Sequence, residues 1–293
     1  MKFATFLDSN GNQSVGYFAG SGSLIPLDPV LGTGCDLLSV IQSWALVVEF
    51  ATTIPDSSIP EDEARLLAPI PVPLRNIMCI GKNYVEHVVE FEKSGYDVTQ
   101  NSHAKDKPVF FTKAPSTVIG PEENIHVHAG ITQEVDYEAE LAVIIGVGGR
   151  GITREKALNH VWGFTILNDV TARDLQKDHQ QWFLGKSLDS FCPMGPVAVT
   201  VDEIDLGNTS IISRVNGEIR QNSNTRYLIH DVPALIATLS AGITLHPGDI
   251  IATGTPSGVG VGFNPPRFLK EGDIVEVEIE GIGLLRNRFG GVI

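Results

Sequence analysis

Apolar residues recur along this chain in short runs, separated by clusters of glycine, proline and polar residues, and long stretches of helical periodicity are few. Residues 2–7 and 14–18 are two such runs around Asn10-Gly11, the signal for a tight hairpin. Between Cys35 and Phe50 the apolar side chains fall at Leu37, Leu38, Ile41, Trp44, Ala45 and Val48, and steps of three and four predict an amphipathic helix. A polar stretch from Pro55 to Glu63, followed by Pro69, Pro71 and Pro73, is the best linker candidate. It divides the chain into a small N-terminal α+β domain, residues 1–70, and a larger domain, residues 71–293. In the larger part, residues 76–80, 109–112, 137–145 and 163–167 read as strands and 83–91 as a helix. Val215-Asn216-Gly217-Glu218 is a hairpin turn, and residues 274–289 form a last hairpin. Asp231 caps a helix that carries Pro233 in its first turn and stops before Gly242. Strands dominate and helices are brief, which predicts a β-rich α+β fold rather than a doubly wound α/β sheet.

Charge narrows the range of partners. Among 293 residues, 21 Lys and Arg face 35 Asp and Glu, leaving a formal charge of −14. Such a field repels phosphate backbones and anionic lipid heads, so neither nucleic acid nor a membrane surface is expected as a partner. A small anionic substrate would need local cations or a metal. Cys35, Cys79 and Cys192 have no ligand-like spacing, which fits a reducing compartment. The N-terminal apolar run is broken by Asp8, and the longest runs, such as 141–147, are too short for a bilayer, so the expectation is a soluble cytoplasmic protein.

Several segments carry residues with chemical potential. In Asp136-Tyr137-Glu138-Ala139-Glu140-Leu141-Ala142-Val143, strand alternation puts Glu138 and Glu140 on one side and apolar residues on the other. Side-by-side carboxylates repel unless a hard divalent cation joins them; the other reading is a solvated strand face. Trp162 to Asn168 is an apolar strand that ends on Asp169, a possible ligand or helix cap, with Thr171 and Asp174 spaced as a capping pair. Tyr84, His87, Val88 and Phe91 share a helical face, and His87 and Glu90, three apart, form either an oriented general base or a surface pair. Lys186 lies in an apolar, glycine-bearing stretch, where it could serve an anionic substrate or snorkel to water. Residues 247–262 run from a strand into a loop rich enough in glycine for close approach to a ligand, or simply flexible. The Gly146-Val147-Gly148-Gly149-Arg150-Gly151 run fits the dinucleotide fingerprint, but the strand before it carries Glu138 and Glu140, and no second βαβ unit follows.

Six segments, in this order, resemble the fumarylacetoacetate hydrolase family over roughly residues 75–290: IGKNYVEH (80–87), DYEAELAVIIG (136–146), NDVTARDLQ (168–176), FLGKSLDSFCPMGP (183–196), NGEIRQ (216–221) and PGDIIATGTPSGVG (247–260). The resemblance is to the acylpyruvase and oxaloacetate decarboxylase-like branch. It implies a catalytic domain of mixed β-sheet rolls and usually a homodimer. It implies Mg²⁺ or Mn²⁺ on Glu138, Glu140 and Asp169, catalytic roles for His87, Glu90 and Lys186, and substrate contacts from Tyr84, Arg173, Gln176 and Thr255. The implied reaction is hydrolysis of the C–C bond of a 2,4-dioxo acid, such as an acylpyruvate or a fumarylpyruvate-like compound, to a 2-oxo acid and a carboxylic acid. His87, oriented by Glu90, would take a proton from water, and Lys186 would stabilise the oxyanion. The alternative within the family is decarboxylation of an oxaloacetate-like 2-oxo acid, or an isomerisation. Residues 92–107 depart from shorter family members and read as a lid over the site.

Overall fold

Asp8 and Gly11 close the first hairpin. The Asp8 carboxylate accepts the N–H groups of Asn10 and Asn12 at 2.8 Å, and Gly11 takes φ +81°. Lys2–Leu7 then pairs with Gln13–Phe18 in the register Phe3 to Tyr17. The computed structural model describes residues 1–20, 22–53, 58–60, 63–96 and 106–291. Residues 55–57 and 61–62 of the linker candidate and 97–105 of the lid candidate lie outside the described residues.

The helix expected over residues 35–50 is two helices, Leu37–Gln42 and Trp44–Ala51, separated at Ser43 (φ −108°, ψ 28°). Across the break, Leu37, Val40, Ile41 and Val47 still share one cluster with Phe3, Tyr17 and Trp162. Tyr84 stands at the N-terminus of the helix Val85–Ser94, which ends at Gly95 in the left-handed region (φ +78°). Asp231 caps Val232–Ser240 as expected, accepting from Ala234 N–H.

Ten strands follow one another across a mixed sheet: Ile59–Pro60, Ser23–Pro26, Gln13–Phe18, Lys2–Leu7, Cys192–Thr200, Val161–Asn168, Ala139–Ile145, Ile250–Ala252, Ile77–Gly81 and Val109–Lys113. Neighbours along it are antiparallel except Ile250–Ala252 with Ile77–Gly81. The pairing of Lys2–Leu7 with Cys192–Thr200 carries one ladder across the position near residue 70. A second sheet orders Glu218–Asn224, Ser210–Val215, Ile274–Ile279, Gly283–Phe289 and Asn124–Ile125. The 215–218 turn within it has both central residues at positive φ, Asn216 at +52° and Gly217 at +79°, which suits a two-residue hairpin. Ala139, Leu141, Val143 and Ile145 do share an apolar face, packed with Phe164, Ile166 and the Leu235, Ile236 and Leu239 face of Val232–Ser240. The opposite face is also covered, by Ala142 with Ile77, Cys79 and Ile250, so this strand is buried throughout.

Two local expectations are corrected. The strand predicted over 137–145 begins at Ala139; Val135–Asp136 is a separate short strand paired with Thr171–Ala172, and Glu138 sits in the break. Thr171 does not cap Arg173–Asp178, because the helix starts one residue later than the capping pair requires. The N-cap is Ala172, with no side-chain cap, Thr171 Oγ1 donates to the Asp169 carbonyl, and Asp174 turns away to accept from Thr132. The glycine run at 146–151 leads into a 3₁₀ turn, Arg154–His160, with Gly149 bridged to Leu245, and not into a dinucleotide-binding α-helix. Among the described residues, no helix is long and apolar enough to cross a membrane.

Close interstrand approach at Gly163 yields a test of this packing. A Cβ there would lie 1.9 Å from the Val199 carbonyl oxygen, which belongs to the neighbouring strand. Gly163→Ala is expected to destabilise the protein by about 1–3 kcal/mol or to prevent folding, because the obstruction is backbone and cannot rotate aside. Thermal denaturation checks this; an unchanged midpoint would contradict the sheet register.

Candidate metal centre and catalytic site

Antiparallel pairing places the acidic residues together. Ala139 stands opposite Asn168, so the start of one central strand meets the end of its neighbour. The corner is tied twice: Glu138 N–H donates to Asn168 Oδ1 at 3.0 Å, and Asp169 N–H donates to the Glu138 carbonyl at 2.8 Å. As a result one oxygen each of Glu138, Glu140 and Asp169 lies within 4.8 Å of the others, and all three side chains are buried. The solvated-face reading of Glu138 and Glu140 and the cap reading of Asp169 are therefore both excluded.

Three buried cations surround these carboxylates. Lys186 Nζ donates to Glu138 Oε2 and Asp169 Oδ2, each at 2.7 Å. Lys113 Nζ lies 2.7 Å from Asp169 Oδ1. Arg173 places Nη2 2.6 Å from Glu138 Oε1, and donates from Nε to Asp136 at 2.9 Å and from Nη1 to Gln176 Oε1 at 3.1 Å. Asp136 is completed by the N–H groups of Gly260 and Val261, at 2.6 and 3.0 Å. Lys186 does not snorkel: it is fully enclosed.

The two glutamates respond oppositely to this setting. Burial alone would raise Glu138, but Lys186, Arg173 and His87 outweigh it and hold the carboxyl at about 2. Glu140 is pushed well above the usual carboxylate range by burial and by the charges of Asp169 and Glu138, against which Lys186 and the Gly254 N–H contribute less. For Lys186, burial lowers the ammonium, while Asp169 and Glu138 raise it and win.

The donor set fits a hard divalent cation. It consists of carboxylate oxygens, it excludes soft ligands, and Asp169 Oδ1 is buried without an aligned hydrogen bond despite its ion-pair distance to Lys113. Glu140 engages one oxygen with Gly254 N–H at 2.8 Å. Gly254 is itself required to be glycine, at φ +99° with a Cβ position 2.7 Å from Asn83 Cβ.

His87 lines the same cavity as Glu138, Glu140, Lys186, Arg173, Gln176 and Thr255, with Phe91, Phe111 and Trp182 as an aromatic wall. His87 is 5% exposed, so the surface-pair reading fails. Its Nδ1 lies 3.2 Å from Glu90 Oε2, and Glu90 Oε1 accepts the Gly258 N–H at 2.9 Å. A proton on Nδ1, facing Glu90, would leave Nε2 free to act as a base. Thr255 Oγ1 accepts from Gln221 Nε2 at 2.7 Å, which fixes its position. Tyr84 is buried outside the cavity lining, its hydroxyl has no hydrogen-bond partner, and burial with the nearby Glu140 charge raises its phenol. Lys113, Asp136, Asn168 and Gln221 were not singled out from sequence, because each acts on a residue far away in the chain and no local spacing marks it.

Glu140 generates a pH prediction. Its raised pKa means that the folded, metal-free chain binds this proton more tightly than the unfolded chain does. The associated stability is present below the ordinary carboxylate range and is lost as pH rises through the raised value. In chelator, Glu140→Gln is expected to lose less stability than wild type between pH 5 and pH 8, and an added divalent cation is expected to stabilise wild type more than Glu140→Gln. Thermal midpoints across that range check both; parallel curves for the two proteins would contradict the raised pKa.

Comparison with known proteins agrees with this geometry. The family model described as fumarylacetoacetate (FAA) hydrolase C-terminal matches residues 76–290. The oxaloacetate tautomerase YisK of Bacillus subtilis (strain 168) is 50% identical over 229 residues, covering 78% of this chain and 74% of that protein. The solved fumarylacetoacetate hydrolase of psychrophilic Exiguobacterium antarcticum superposes with a TM-score of 0.85 at 44% identity, over 99% of this chain and all (100%) of that one. The maleylpyruvate hydrolase of Sphingobium sp. SYK-6, solved with manganese(II) and pyruvate, has a TM-score of 0.81 at 29% identity over 100% of both chains. A strand-rich α+β fold, a buried acidic triad suited to a divalent metal and a match over most of the chain together place this protein among the enzymes of the fumarylacetoacetate hydrolase family.

Proposed function

We propose that this protein is a divalent-metal-dependent enzyme that moves a proton between carbon and oxygen of a small anionic 2-oxo acid, a keto–enol tautomerase of the oxaloacetate class. The observation that carries the reading is that an oriented base, His87, and a buried ammonium, Lys186, line one cavity with the carboxylate cluster. Glu138, Glu140 and Asp169 would hold the cation. When bound, Mg²⁺ or Mn²⁺ would draw the 2-oxo acid into a protein of charge −14 and act as a Lewis acid towards its 2-oxo oxygen.

The protein's own groups do the remaining work. His87 Nε2 removes a proton from the carbon next to the 2-oxo group, while Glu90 keeps Nδ1 protonated and stabilises the imidazolium that forms. Gly258 N–H fixes Glu90 for that task. Lys186, kept charged by Asp169 and Glu138, stabilises the negative charge that develops on the oxygen, and His87 passes its proton on to that oxygen to complete the enol. Arg173 is committed to Asp136, Glu138 and Gln176, so it holds the arrangement in place and presents Gln176 to the cavity. No water enters this sequence, and the aromatic wall favours its exclusion. The name of the relative at 50% identity supports the same substrate class.

A second reading is hydrolysis of a 2,4-dioxo acid, in which His87 activates water instead of a carbon acid. Its support is the overall likeness to the two solved hydrolases.

Following enol absorbance with oxaloacetate and Mn²⁺ tests the first reading, with CO₂ release and carboxylic acid release from acylpyruvates measured in parallel. Wild type is expected to accelerate ketonisation, and His87→Ala to lose roughly 10²- to 10⁴-fold in rate. Unaltered enol decay with wild type, or full activity in His87→Ala, would sink the proposal. Carboxylic acid release from an acylpyruvate without tautomerisation would favour hydrolysis.

A further inference from the structure

The two lysines that reach Asp169 are differently placed. Lys186 Nζ donates to two carboxylates, those of Glu138 and Asp169, and lies 5.0 Å from the centre of the Phe111 ring, with no main-chain acceptor among the described residues. Lys113, the last residue of the edge strand Val109–Lys113 and fully enclosed, sends its ammonium to main-chain oxygens: it donates to the Val170 carbonyl at 3.1 Å and, more closely still, to the carbonyl of Lys186. Nζ also lies 2.7 Å from Asp169 Oδ1, without the alignment of a hydrogen bond. The next residue extends the same attachment, because Ala114 N–H donates to Ser187 Oγ at 3.1 Å.

We propose that Lys113 is a positioning residue for the metal centre: it clamps the corner at 169–170 to the end of the turn Phe183–Lys186, and so sets where the Asp169 carboxylate and the Lys186 ammonium stand relative to each other. An ammonium with two donors committed to backbone carbonyls cannot swing away when a cation enters. Lys186, bound only to side chains, can re-aim towards a newcomer. Asp169 Oδ1 is thereby held near a fixed charge that leaves a lone pair unspent, which is the condition for ligation. This inference rests on the reading that the triad holds a divalent cation.

Charge alone and positioning predict opposite signs. Lys113→Met and Lys186→Met each delete one positive charge beside Asp169, and Coulomb attraction by itself would tighten a dication in both. Loss of an orienting partner around a metal site weakens binding instead, by roughly ten- to a hundredfold. The experiment is a Mn²⁺ titration of the full chain, with free Mn²⁺ read by electron paramagnetic resonance, so no turnover is needed. Lys113→Met is expected to weaken Mn²⁺ binding by roughly tenfold or more while remaining folded, and Lys186→Met is expected not to weaken it. If Lys113→Met does not fold, Lys113→Arg takes its place, with the same weakening expected, because a planar guanidinium cannot address the three acceptors that surround Nζ. A folded Lys113 variant that binds Mn²⁺ as tightly as wild type overturns the proposal, whatever its thermal midpoint. Equal weakening in Lys113→Met and Lys186→Met also overturns it, because Lys113 would then have no role of its own. A wild type that binds no Mn²⁺ fails the metal reading itself, and is recognised before any variant is compared.

Discussion

Mutual repulsion among three buried carboxylates is the constraint on which the structure depends. Glu138, Glu140 and Asp169 bring oxygens within 4.8 Å of one another away from water. At that spacing, and with an effective dielectric constant of about 20, each ionised pair repels by roughly 3 kcal/mol. Three such pairs amount to about the whole stability of a typical domain. The metal-free chain offsets this with Lys186, Lys113 and Arg173, and by keeping the Glu140 carboxyl inclined towards its neutral form. Counting Asp136, which shares Arg173, the cluster with Glu140 protonated holds three negative and three positive charges and is neutral. Exchanging one proton for a dication would make it net positive by one, a balance suited to a small anion.

The same charges organise the backbone around them. Asp136 draws in the N–H groups of Gly260 and Val261, Glu140 that of Gly254, and Glu90 that of Gly258. The glycine-rich segment is thus neither slack nor a phosphate cradle: its amides are consumed by four contacts to three carboxylates. His87 and the acidic triad lie on separate elements, and this segment is what joins them. Gln221 reaches it from the second sheet, bonding Thr255 and the Pro256 carbonyl, so both sheets have a hold on the site.

Much of the site was legible in sequence because its key groups are paired locally. Glu138 and Glu140 are two apart, and His87 and Glu90 are three apart on a helix whose apolar face is equally plain. Hairpins with Asn-Gly turns were legible for the same reason. What escaped notice is non-local. Lys113 follows Val109-Phe110-Phe111-Thr112 with no marker of its role, since its partners are some 57 and 73 residues away. Asp174 has the spacing of a capping partner for Thr171, yet the helix starts one residue later and Asp174 accepts from Thr132, 42 residues away. The strand order, with Lys2–Leu7 against Cys192–Thr200, carries no signature within either segment.

The loop contacts have one more consequence, for how new substrates can be admitted. Because residues 254, 258, 260 and 261 hold the carboxylates through main-chain amides, the side chains between them are spared that duty. Ser257 and Thr255 lie in this interval, one touching Glu86 at the surface and the other lining the cavity. Exchanges at such positions alter what the cavity touches while the three carboxylate anchors stay fastened. The segment therefore separates evolvability from integrity: its spine is fixed by charge, so a side chain such as Ser257 can vary without loosening it.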